Sequence, residues 1–239
     1  MTARIGTSGW ARDAWDGVLY PPGLDSRKRL AAYSREFDAV EVTASRERWP
    51  SVATFGAWNK RLPVEFRMIV HAPDALTSPK QRFAPQTWFD RIGAGLGTLG
   101  PTAGPLLVVV DQGQVRDDDW LEMFLGLAPT GVRMAIEFRN PSWHEQGVYD
   151  ILERHGAAYV VMSGARLPCI LLATAPFVVV RLHGPDAAVL HAGSYPDESL
   201  HWWADRIREW QQTEHEVFAT FTNDAALANA RGLQAVLAR

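Results

Sequence analysis

The chain has 239 residues, 47% of them hydrophobic and 21% charged, with a formal net charge of −3 and a pI near 6.2. That length supports a large core in one or at most two domains, and the charge lacks the basic excess that marks a nucleic-acid or membrane-surface binder. The single cysteine, Cys169, excludes an internal disulfide and a cysteine-based metal site.

No apolar run reaches the roughly 18 residues of a membrane span, and no signal peptide precedes Arg4-Ile5-Gly6. A cytoplasmic protein with no membrane partner is expected. Trp is frequent, at 10 residues. Several follow expected strands, which suits pocket walls, and others sit on expected helices, which suits packing.

Strand 1 is expected over Ala3–Thr7, followed by a long loop, Ser8 to Leu24, with Trp10, Trp15, Tyr20 and Pro21-Pro22-Gly23. Asp25 is placed to cap a helix over Ser26–Phe37. Strand 2 follows at Ala39–Thr43, and Pro50 opens a helix with Val52, Phe55 and Trp58 on one face. Strand 3, Phe66–Val70, ends at His71, and a loop with Pro73, Pro79 and Pro85 leads to a helix from Gln86. The continuous apolar run Leu106–Val110, ending at Asp111, suits a parallel strand covered by helices.

A helix over about Asp117–Leu127 then precedes strand 5, Arg133–Phe138. Ser142-x-x-Glu145 has the spacing of a capping box for a helix ending near His155-Gly156. Strand 6 is Ala158–Met162. The next gap, with Arg166-Leu167-Pro168 and Pro176, reads as a loop. Strand 7 is Phe177–Leu182, ending at His183-Gly184. Ser194 and Pro196 start a helix whose Asp197 and Glu198 suit its dipole. Strand 8 is Val217–Phe221, and the last helix starts at Asp224. Eight strands alternating with helices predict a one-domain α/β fold, a (β/α)8 TIM barrel, with a doubly wound open sheet as the alternative.

In a barrel the C-terminal strand ends converge on one mouth. Those ends carry Ser8, Glu41, Thr43, His71, Asp111, Glu137, Arg139, Ser163, Arg181, His183, Asn223 and Asp224. Strand alternation puts Glu41 with Thr43, Glu137 with Arg139, and Arg181 with His183, opposite apolar neighbours such as Val40, Ile136, Phe138 and Val180. The charged set is therefore expected to point inward, with Trp143 as a stacking partner. Carboxylates and imidazoles without cysteine suit a hard or borderline divalent ion. Equally, Arg139, Arg181 and His183 suit an anion clamp, with Glu137 or Glu41 as acid or base.

Plainer roles exist for each. Inward Glu and Arg also pair simply to fill a barrel, as Glu41 would with an arginine such as Arg67. His183 before a glycine also suits a loop hydrogen bond, and Asp224 a helix N-cap. Trp202, Trp203 and Trp210 share a helix and suit packing. Gly95-x-Gly97-x-x-Gly100 matches a dinucleotide fingerprint but follows a helix, and the mechanism needs a strand there. Gly6-Thr7-Ser8-Gly9 lacks the spacing of a nucleophile elbow.

The motifs Ile5-Gly6-Thr7-Ser8-Gly9-Trp10, Trp15-x-Gly17-x-x-Tyr20-Pro21, Glu137-Phe138-Arg139-x-x-Ser142-Trp143, Arg181-Leu182-His183-Gly184 and Asn223-Asp224 fall in order along nearly the whole chain. Together they resemble domain-of-unknown-function family 72, the YecE-like proteins. The resemblance implies a TIM barrel and brings no established activity. A looser likeness to barrels of the endonuclease-IV and xylose-isomerase type implies phosphate-ester or sugar chemistry by fold analogy alone.

This chain departs from the family pattern on strands 2 to 4. It reads Thr43-Ala44-Ser45-Arg46-Glu47 where the family has Asn, a small residue and a hydroxyl residue. It has His71 in place of a usual Lys, and Asp111-Gln112-Gly113 in place of a Gln-Leu-Pro-Pro type of turn. Thr222 stands where an Asn is usual, and Arg12 where an aromatic is usual.

The expected function is an enzyme of the hydrolase or lyase kind, acting on a small anionic or phosphorylated substrate by acid–base hydrolysis or lyase chemistry. Glu137, His183 and Glu41 would be catalytic, and Arg139, Arg181, Trp143, Trp10, Tyr195 and Asn223 would bind substrate. Two alternatives stand beside it. One is a non-catalytic binder of a nucleotide or nucleic-acid end. The other is a phosphodiesterase dependent on a divalent metal ion, with His71, Asp111 and Asp224 as further ligand candidates.

Overall fold

The computed structural model describes residues 2–43, 45, 48–78 and 84–239. Pro79, Ala44, Arg46 and Glu47 lie outside the described residues. Eight parallel strands close a barrel in sequence order, and β1 pairs with both β2 and β8. The strands are β1 Ala3–Ser8, β2 Ala39–Val42, β3 Arg67–His71, β4 Ala103–Val110, β5 Met134–Phe138, β6 Ala158–Ser163, β7 Phe177–Leu182 and β8 Glu216–Phe221. Seven α-helices occur among the described residues: α1 Ser26–Tyr33, α2 Val52–Asn59, α3 Gln86–Leu99, α4 Asp118–Gly126, α5 Gln146–Arg154, α6 Asp197–Gln212 and α7 Ala226–Leu237. No helix among the described residues is long and apolar enough to cross a membrane. The β6–β7 connection has no helix, as its prolines predict.

Most helix starts follow local chemistry. The side chains of Asp25, Ser51 and Asp117 each accept a backbone N–H of the first turn of α1, α2 and α4. Three expectations are corrected. Pro50 lies before the Ser51 cap, not inside α2. The Ser142 capping box does not form, because Ser142 sits in a 3-10 turn, Pro141–Trp143, where its hydroxyl bonds Asn140 and the Arg116 amide; α5 starts after Glu145 instead. Asp224 is no N-cap, since α7 starts two residues later behind Ala225. The Gly95/Gly97 pair lies inside α3, where Gly95 makes room for the Phe55 ring.

Alternate strand residues split the core in two. Val40, Val42, Ile136, Phe138, Val180 and Leu182 face the helices in the larger apolar cluster. Ile69, Leu107, Ala135, Val160, Val179 and Phe218 form a second apolar cluster, filling the barrel interior. Below it, Glu216 takes Arg4 at 2.7 Å and Arg133 at 2.6 Å. Above it lies a layer of buried charge. The interior is thus a packed plug that supports the C-terminal mouth.

Candidate functional site

Three strands build the charged layer. Glu41 from β2 and Glu137 from β5 are both fully buried, and Arg181 from β7 lies between them. Arg181 grips Glu41 with two parallel bonds, Nε to Oε2 at 3.0 Å and a terminal nitrogen to Oε1 at 2.7 Å. Its other terminal nitrogen bonds Glu137. Glu41 also accepts from Thr220 at 2.9 Å and contacts His71 Nε2 at 2.8 Å. Arg139, partly exposed above this layer, pairs with the second oxygen of Glu137. Two carboxylates thus meet two guanidiniums. Arg67 lies at the opposite end of β3, donating to Val64 and Phe66 carbonyls, so the partner of Glu41 is Arg181 and not Arg67.

This geometry fixes charge states. Burial opposes ionisation of Glu41, but Arg181 and His71 outweigh it and hold the carboxyl well below the usual range. Glu137 is held low in the same way, burial being outweighed by Arg181, His183 and Arg139. Burial keeps His71 neutral and lowers His183 to about 4. His183 Nε2 has no hydrogen-bond partner and lies 3.7 Å from Glu137 Oε2.

Above the layer opens a cavity of about 840 Å³. It is lined by Val109, Asp111 and Gln112 at the end of β4, by Arg139, Pro141 and His144 after β5, and by loop residues including Arg166 and His191. Arg166 is exposed and has no charged partner among the described residues. Arg166 and His191 are both non-glycine residues in left-handed backbone, with φ of 57° and 72°. Such strain persists only where the surroundings impose it.

The expected residues therefore separate. Glu41, Glu137, Arg181, His71 and His183 come together, but beneath the cavity floor. Arg139 and Asp111 reach the cavity wall. Trp143 does not: it is fully buried, stacked on Phe138 at 4.8 Å, and its indole N–H bonds Gln114 O at 2.7 Å. Trp10 packs edge-on against Trp58 at 5.5 Å. Tyr195 accepts the Gly184 amide and bonds Ser163, and Asn223 donates to Gly193 and Asn229. Both fasten the loop after β7. Asp224 is exposed, its amide held by His191 O. No group of three or more His, Cys, Asp or Glu placed to hold a metal ion occurs among the described residues. Both glutamates are already taken up by arginine.

Sequence reasoning missed Arg166, His144, His191 and Thr222. His144 directly follows the Trp143 motif and was within reach. Thr222 directly follows β8 and was named only as a departure from the family pattern, whereas Arg166 and His191 lie in loops whose course no periodicity reports.

A closed parallel barrel with its polar side chains gathered under a C-terminal cavity defines a TIM-barrel protein. The chain belongs to the family described as "Protein of unknown function DUF72", whose model matches residues 4–239. It is 27% identical over 257 residues to the UPF0759 protein YunF of Bacillus subtilis, covering 92% of this chain and 88% of that one. A DUF72 family protein from Thermotoga maritima superposes with a TM-score of 0.86 at 22% identity, covering 100% of each chain. Another from Enterococcus faecalis gives a TM-score of 0.84 at 19% identity, covering 100% of this chain and 96% of that one. These two structures share the fold.

Proposed function

We propose that the mouth is the site of an enzyme that binds a small anionic or phosphorylated substrate and acts on it by acid–base chemistry. The observation that carries this is Arg166, an exposed guanidinium with no charged partner among the described residues, held in left-handed backbone on the wall of the same cavity as Arg139. Backbone of this kind clusters at ligand clamps, and here two of the three such non-glycine residues among the described residues, Arg166 and His191, line this one cavity. A planar guanidinium suits a phosphate or carboxylate oxygen pair. Asp111 and Gln112 add acceptors for hydroxyl groups on the same molecule.

The roles first expected of Glu137 and Arg181 shift. Glu137 is fully buried and held ionised, so it makes a poor proton carrier and a good fixed charge. Arg181 has spent its donors on two carboxylates and steadies the floor. Acid–base work then falls to a neutral imidazole on the wall, where His144 and His191 stand. The overall charge of −3 favours a small molecule over bulk nucleic acid.

The test is calorimetric titration of pyrophosphate and of small phosphorylated and carboxylated hydroxy compounds. Wild-type protein is expected to bind the phosphorylated members, and Arg166→Ala to lose about tenfold or more, the worth of one charge-assisted contact. Equal affinity in both proteins overturns the reading.

A further inference from the structure

We propose that His191 presents an unprotonated Nε2 to the cavity as its proton acceptor, and that Thr222 is the positioning residue that selects this tautomer. The inference deepens the anion-site reading and rests on it for the identity of the reacting molecule.

A line of contacts runs from the buried layer to the cavity wall. Glu137 Oε2 lies 3.7 Å from His183 Nε2. His183 Nδ1 lies 3.0 Å from Thr222 Oγ1, and Thr222 Oγ1 lies 2.9 Å from His191 Nδ1. The hydroxyl bridges two imidazoles whose rings are 5.2 Å apart. One hydroxyl has one hydrogen, so it donates to one ring and accepts from the other.

The ionised carboxylate decides the direction. It favours a proton on the His183 nitrogen nearest to it, Nε2, which leaves His183 Nδ1 as an acceptor. Thr222 therefore donates to His183 and accepts from His191 Nδ1–H. The other acceptor near the hydroxyl, Leu182 O, is at 3.5 Å, the outer limit of a hydrogen bond. A neutral His191 with its proton on Nδ1 has its lone pair on Nε2. His191 is exposed, and partial loss of hydration together with Arg181 and Arg139 lowers its basicity, so the neutral form prevails near pH 7.

The loop holding His191 is built closely enough to keep the contact. A side chain at Gly184 would lie 2.5 Å from Ala192 O, and one at Gly164 would lie 2.7 Å from the His183 Cβ. The Asp224 amide holds His191 O at 2.9 Å. The step assigned to His191 is a proton transfer. Its Nε2 lone pair takes the proton of a hydroxyl or water beside the bound anion. The O–H bonding pair stays on that oxygen, which becomes the nucleophile. That oxygen bonds to the phosphorus of the bound phosphoryl group as the phosphorus–oxygen bond to the leaving group breaks with its electron pair, and the imidazolium gives its proton to the leaving oxygen.

The experiment is long-range ¹H–¹⁵N NMR of the imidazole nitrogens in the full-length, ligand-free protein at pH 7.5. His191 is expected as the Nδ1–H tautomer and His183 as Nε2–H. Free imidazole side chains prefer Nε2–H, so His191 is expected to revert to it in Thr222→Val and to keep Nδ1–H in Thr222→Ser. Nε2–H at His191 in the wild type, or a tautomer indifferent to Thr222→Val, overturns the proposal. Pyrophosphate binding through Arg166 is measured separately and stands or falls without the tautomer.

Discussion

Arg181 takes its charge into the barrel interior to meet two fully buried carboxylates. The arrangement is stable only as a set, because each charge loses its hydration and is repaid by its partners alone. Arg181→Met leaves Glu41 and Glu137 facing each other across an apolar side chain, and is expected to cost about 3–5 kcal/mol in urea denaturation. The triple variant Glu41→Gln/Glu137→Gln/Arg181→Met is expected to recover part of that loss; a single variant as stable as wild type would show that the carboxylates take up protons at little cost. The inward direction of these side chains was legible from strand alternation, and so was their gathering at one end. Their partners were not. Arg67 opens its strand, at the end away from the mouth, and closure of the barrel sets Arg181 of β7 across from Glu41 of β2. Trp143 was misjudged because a strand end carries residues to the mouth or to the helix layer within a single turn, and the 3-10 turn at Pro141–Trp143 sends this one outward to Phe138.

At the scale of elements, the strands were read close to place, from apolar residues that run continuously or alternate with polar ones between turn residues, although β4 starts at Ala103 and not at Leu106. The start of α1 was clear where Asp25 caps it, that of α2 was placed at Pro50, just before its Ser51 cap, and that of α5 was misread because the Ser142 hydroxyl had a better partner. The segment after β7 could not be read at all. Its course depends on Gly184 at φ 115° and on bonds from Tyr195, Asn223 and Asn229. Gly184→Ala tests this segment. The added carbon would meet Ala192 O at 2.5 Å in a backbone region that side chains avoid. A loss of about 2 kcal/mol or more in stability is expected, as for other strained backbone positions, together with displaced His183 and His191 imidazole signals. Unchanged NMR signals would mean that the loop has room to spare.

At the scale of the molecule, the buried charges make stability depend on pH with a defined sign. His183, lowered to about 4, and His71, also lowered, stay neutral when folded while unfolded imidazoles take up protons below about 6.5. The unfolded state then binds more protons, so stability falls as pH drops from about 6.5 toward 4. Glu41 and Glu137 act in the same direction further down. Their contribution is complete above the unfolded carboxylate pKa and is lost as pH falls through their lower folded values. Thermal denaturation is expected to show a melting temperature that declines in two stages on acidification, the first of them blunted in His183→Asn. A flat profile between pH 6.5 and 4 would mean that His183 is protonated in the folded protein.

The barrel, its packed interior and its ionic floor all serve to hold a strained, charged wall over one cavity. The most direct measurement of that claim is the calorimetric titration of pyrophosphate into wild-type protein and Arg166→Ala. Saturable binding to the wild type is expected, weakened about tenfold or more in the variant with its melting temperature unchanged. Binding of equal strength in both proteins, or none to the wild type by pyrophosphate or any phosphorylated compound, would contradict it.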